Sequence, residues 1–147
     1  MLQQLRELKP GEVQYELHEL DLIEVKGLGD LDRMLTEIER IRKRHPHNAR
    51  VEERAVALIP LMGNFCNQLT DQLNKVIDQV RDVPSYQQVN WPAVREVMHD
   101  LQREFLRLQR LVIKCLPLIT HEEHRCTIRE LIAHIDRKID VCREMGA

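Results

Sequence analysis

Glycine is scarce in this sequence, with 5 in 147 residues, and aromatic side chains make up only 3%. The first shortage leaves too few residues for the tight turns of a sandwich or barrel, or for a phosphate-cradling loop, and so argues against a P-loop or Rossmann nucleotide enzyme. The second makes the core aliphatic and removes the platforms on which single-stranded bases stack. An excess of one charge is also missing: 22 Lys plus Arg stand against 24 Asp plus Glu, a net charge of -2, which is not the balance of a dedicated nucleic-acid binder. No apolar run reaches the length of a membrane span, and the N-terminus lacks the basic-then-apolar order of a signal peptide. The expected location is cytoplasmic. The one serine, Ser85, lies in no Gly-x-Ser-x-Gly elbow. The cysteines, Cys66, Cys115, Cys126 and Cys142, form no CxxC pair and fall in or beside apolar stripes, where they read as buried reduced thiols.

What is present is helical periodicity. Val13, Leu17, Leu20 and Ile23 recur at spacings of four and three, which predicts a helix over 12–26. Gly27 and Gly29 interrupt it, and Asp30 is the expected N-cap of a second segment striped by Leu31, Leu35, Ile38 and Ile41. Asn48 caps a long helix over 49–83, whose stripe runs from Val51 through Ala55, Leu58, Met62, Cys66, Leu69, Leu73 and Val76 to Val80. Pro60 lies inside that stripe and predicts a kink near Ile59 to Gly63. After a loop at 84–90, Asn90 caps a helix striped by Val94, Val97, Leu101, Phe105, Leu108, Val112 and Cys115. Thr120-His121-Glu122-Glu123 fits a capping box for a last helix reaching about 144, with His124, Ile128, Leu131, Ile135, Ile139 and Cys142 inward.

The expectation is therefore a single all-α domain over 1–147, an up-down-up-down four-helix bundle with a glycine-interrupted first helix and a proline-kinked long second helix. Residues 1–11 are expected to be a loosely attached segment, whose Leu2, Leu5 and Leu8 would offer a surface for capping the bundle or joining a second copy as a homodimer. In layout this resembles adhesion-type bundles such as focal-adhesion-targeting and vinculin-like domains, a likeness of architecture without a shared motif.

The densest cluster of metal-ligating types is His121-Glu122-Glu123-His124-Arg125-Cys126, where two histidines three apart share a helix face. Acidic enrichment of a helix N-terminus explains the same residues. Glu96-Val97-Met98-His99 is the one Glu-x-x-His, and a di-iron bundle needs two. His134, flanked by Ile132 and Ile135, reads as a buried hydrogen-bonded histidine rather than a base.

Charge placement carries more. His99, Arg103, Arg107, Arg110 and Lys114 follow spacings of four, four, three and four, a cationic ridge opposite the apolar stripe of their helix. Arg40, Arg42, Lys43, Arg44, His45, His47, Arg50 and Arg54 gather around the first interhelical turn. Residues 12–32, by contrast, hold seven carboxylates and one lysine. The functional expectation is a non-enzymatic adaptor or scaffold module, without cofactor or metal. It would bind an acidic or amphipathic helix of another protein through Arg103, Arg107, Arg110, Lys114, Arg40, Arg42, Lys43 and Arg44. The alternatives are phosphate, nucleic-acid or anionic-lipid binding by the same cations, or a metal or thiol site around His121, His124 and Cys126.

Overall fold

The computed structural model describes residues 11–147, so the apolar surface expected of Leu2, Leu5 and Leu8 lies outside the described residues. Among the described residues all regular structure is helical. The α-helices are α1 (Val13–Asp21), α2 (Leu28–Arg44), α3 (Ala49–Val56), α4 (Leu58–Arg81), α5 (Trp91–Cys115) and α6 (Glu122–Met145), with 3-10 turns at Tyr86–Gln88 and Leu116–Leu118.

The first helix is shorter than its apolar pattern. It stops at Asp21, where the amide of Leu22 turns back to Glu19 at 3.2 Å and that of Ile23 to Leu20 at 3.0 Å. Asp21 and Glu24 oppose the partial negative charge of a helix C-terminus, and the β-branched Ile23 and Val25 have low helix propensity. Asp30 does not serve as the N-cap. The cap is Gly27, and Asp30, three residues on, accepts hydrogen bonds from the amides of Gly27 at 3.2 Å and Lys26 at 2.9 Å. Asn48 caps α3 as expected, its side-chain oxygen accepting from the amides of Arg50 and Val51.

The break in the long helix lies at Ala57, two residues ahead of the expected kink at Ile59 to Gly63. A proline ring clashes with the carbonyl four residues earlier, here that of Val56, and has no N–H to bond it. The chain resolves this by ending α3 at Val56 and restarting, which leaves Pro60 in the first turn of α4, where no amide needs an intrahelical partner. Ala55, Leu58 and Met62 stay buried across the break.

Helix α5 is central: α2, α4 and α6 all pack on it, α6 over the greatest extent. Its buried set is Met98, Leu101, Phe105, Leu108, Leu111, Val112 and Cys115. Val97, expected inside, is 40% exposed, and Met98 takes its place. From Val94 the buried seam steps four, three, four, three, a heptad period that a helix lying along its neighbours requires and that Val97 breaks. His99 Nε2 lies 2.9 Å from the Gly146 carbonyl, and Gln109 Nε2 donates to that of Ile132 at 3.3 Å, so α5 and α6 run antiparallel. Helix α2, with 17 residues against the 25 of α5, reaches only the C-terminal half of α5: Gly29 sits beside Arg107, and Asp32 and Thr36 sit beside Lys114.

Candidate functional site

The acidic segment and the first basic cluster meet inside the molecule. Glu16, on the same arc of α1 as Leu17 and Leu20, is only 5% exposed. Its carboxylate accepts hydrogen bonds from Arg40 at 3.4 Å and from Arg44, and lies 3.1 Å from Nε2 of His45. Arg40 also donates to Glu37 at 2.9 Å, a hydrogen bond that, with the carboxylates of Glu37 and Glu16 nearby, holds its pKa above the ordinary arginine value against the opposing effect of burial. One turn on, Arg54 of α3 grips Asp21 with Nε at 2.8 Å and Nη2 at 3.0 Å. Four of the expected surface cations, Arg40, Arg44, His45 and Arg54, are thereby turned to α1. A buried carboxylate persists only where cations and hydrogen bonds replace its water. The signal for Glu16 in the sequence was its place between apolar positions of its own helix face.

Arg42 and Lys43 stand apart from that network. They line an open crevice of about 390 Å³ with Pro46, His47, Asn48 and Thr120, at the turn joining α2 to α3. His47 holds φ +63 there, the left-handed conformation that lets the chain reverse within a few residues. Lys43 lies 3.6 Å from Glu39.

The ridge on α5 is divided. Lys114 Nζ donates to Thr36 at 2.7 Å and to Asp32 at 3.2 Å, so its end is joined to α2. At the other end His99 meets the Gly146 carbonyl, and Arg103 pairs with Asp100 on its own helix. Arg107 and Arg110, both exposed, form no ion pair among the described residues. They are the open centre of the ridge.

The capping box expected at Thr120 is absent, because Thr120 is committed elsewhere. The N-cap of α6 is His121 and makes no side-chain cap bond. Thr120 directs its hydroxyl to Glu52 of α3 at 2.6 Å and donates its amide to the same carboxylate, while His121 Nδ1 lies 3.2 Å from the other oxygen. Burial works to raise the pKa of Glu52, but these partners outweigh it and hold the carboxyl below its ordinary range. Glu52 therefore ties the α5–α6 connection to α3. Replacing it with alanine removes three hydrogen bonds whose partners water can still reach and is expected to cost about 0.5–1.5 kcal/mol in urea unfolding, a contribution that the wild type loses as pH falls through the depressed carboxylate range. A Glu52→Ala curve matching wild type at neutral pH would contradict this role.

The histidine–cysteine cluster does not assemble. The rings of His121 and His124 have centroids 6.3 Å apart and meet edge to face, and Cys126 Sγ is turned to Glu130 at 3.7 Å. Among the described residues no three His, Cys, Asp or Glu side chains are grouped to hold a metal ion. His134 is half-buried rather than buried, and desolvation, with Lys138 and Arg137 adding to it, lowers its pKa. Cys66, Cys115 and Cys142 are buried, as expected, but Cys126 is exposed. Burial raises all three buried thiols, Cys115 to about 12 and Cys142 to about 11, which suppresses the thiolate that a nucleophile needs.

Fold and surface together define an all-helical protein with an acidic helix docked on one basic cluster and a second, open pair of arginines on its central helix. No known family, curated protein or solved structure matches the chain. Among the described residues no helix is long and apolar enough to cross a membrane.

Proposed function

We propose that this protein is a non-enzymatic interaction module, an adaptor or scaffold that binds an acidic amphipathic helix of another protein on its cationic faces. The observation that carries the reading is the contrast along α5. Lys114 and Arg103 are occupied by carboxylates of the same chain, while Arg107 and Arg110 between them are exposed and unpaired among the described residues. Two guanidinium groups one turn apart match carboxylates spaced three or four residues along a partner helix. Arg42 and Lys43 supply further positive charge at the end of the bundle.

We read the long helices as an up-down-up-down bundle, with α2, the broken α3–α4 unit, α5 and α6 as its four members and α1 lying lengthwise against α2 and α3. The registers support this: Cys115 Sγ lies 3.8 Å from the Ala55 carbonyl and Thr120 bonds Glu52, while Gln109 and His99 pair α5 with α6. A cytoplasmic location fits three reduced thiols in the core.

Titration of a fluorescent acidic amphipathic peptide tests the function. Arg103→Glu, Arg107→Glu and Arg110→Glu together are expected to weaken its binding at least about tenfold, since each reversal replaces attraction by repulsion. Unchanged affinity would remove the ridge as a binding surface. A loss of binding in wild type between low and physiological salt as steep as that of a polyphosphate would favour an anionic polymer as ligand instead.

A further inference from the structure

The apolar hold on helix α1 is narrow, and ion pairs supply much of the rest. Its buried side chains are Glu16, Leu17 and Leu20, and its nine residues are fewer than an isolated helix needs to persist in water. Open crevices run along both its flanks. One, of about 300 Å³, separates it from α2 between Glu19, Ile23, Arg33 and Arg40, and another, of about 380 Å³, separates it from α3 between Gln14, His18, Arg50 and Glu53. At its ends lie Gly11, at φ +95, and the irregular stretch 22–26 before Gly27. What it covers is a basic and apolar surface: Arg40, Arg44 and His45 around Glu16, Arg54 at Asp21, and Ile41 beneath.

We propose that α1 is a displaceable internal ligand, and that the surface it covers on α2 and α3 is a docking site for an acidic amphipathic helix of a partner protein. The inference rests on the reading that cationic faces of this protein take acidic helices, and it places the main site on α2 rather than on α5. The occupant's chemistry is read from α1 itself: a carboxylate beside two leucines on one helix face, with a second carboxylate five residues beyond the first to meet Arg54. Because α1 is tethered, its local concentration is of millimolar order, and a partner binds in proportion to the fraction of molecules in which α1 has left. Such a surface stays masked from weak acidic helices and opens to those that match it better than α1 does.

The probe is a fluorescent synthetic peptide of residues 11–27, titrated against the full chain. Against a chain carrying Glu16→Ala, Leu17→Ala and Leu20→Ala, whose own α1 no longer competes, the peptide is expected to bind at least about tenfold tighter than against wild type. Adding Arg40→Glu and Arg44→Glu to that chain is expected to abolish the gain. Equal affinity for wild type and the triple variant, or binding indifferent to Arg40 and Arg44, overturns the proposal. Hydrogen exchange on unmodified protein needs no variant: the amides of 17–23 should exchange at least about a hundredfold faster than those of Leu101 to Val112, and equal protection overturns it as well. The two sites separate cleanly. A gain in the triple variant that survives Arg40→Glu and Arg44→Glu rejects the α1 surface and leaves the ridge standing, and wild-type binding that survives Arg107→Glu and Arg110→Glu rejects the ridge and leaves the α1 surface standing.

Discussion

Phe105→Ala is expected to destabilise the protein by about 3–5 kcal/mol, which for a chain of this size lowers the thermal midpoint by on the order of 10 °C. The ring is fully buried at the middle of α5, the helix against which α2, α4 and α6 all pack. It is also the only fully buried aromatic side chain among the described residues. The rest of the buried core is mostly aliphatic, and close-packed cores relax only partly around a void. Phe105→Leu keeps most of the volume and should cost less than half as much. Urea unfolding of the three proteins side by side checks the order, and a loss below about 1 kcal/mol for alanine would mean that α5 is not the centre of the core.

The buried thiols make the fold sensitive to alkali. Cys115 and Cys142 hold their protons to about pH 12 and 11 in the folded chain, against an ordinary value of 9.0. Above pH 9 the unfolded chain releases these protons while the folded chain keeps them. Stability therefore falls as pH rises from about 9 toward 11–12, by up to about 1.4 kcal/mol per pH unit for each thiol. Cys115→Ala with Cys142→Ala should flatten that slope, although it lowers stability near neutrality, and an unchanged slope would show that these thiols do not govern it. At pH 8 the same burial predicts that Cys126 alone reacts quickly with a thiol reagent, the other three reacting only as the protein unfolds.

The helices were legible in the sequence because apolar periodicity is imposed by packing on every turn: Leu31, Leu35, Ile38 and Ile41 are all buried as their spacing requires. Two of the misreadings share a physical cause, a local signal overruled by a distant partner. Thr120 has the sequence of an N-cap, yet Glu52, sixty-eight residues away, takes its hydroxyl. Val97 and Met98 are equally apolar, and only the register of α5 against its neighbours decides which turns inward. The break near Pro60 was legible as an event but not in place, since the clash falls on the carbonyl one turn earlier.

The candidate surfaces were legible as composition and not as geometry. Opposite charges at 12–32 and 40–54 stood out in the sequence, but whether they face solvent or one another depends on where α1 lands. Glu16 lands beneath Arg40, Arg44 and His45, so much of the first cluster is already engaged within the chain. Lys114 is likewise spent on α2, which reduces a five-residue ridge to the pair Arg107 and Arg110 at its centre.

The central claim is that acidic helices are received on cationic faces of α5 and α2. Backbone chemical-shift mapping with the peptide of residues 11–27 added to the full chain tests it most directly. The account predicts shifts centred on Arg103 to Arg110 and on Arg40 to His45, with the α1 amides of 13–21 changing in step with the latter. Shifts centred on His121 to Cys126, or spread over the outer face of α4 and leaving both arginine groups unmoved, would contradict it.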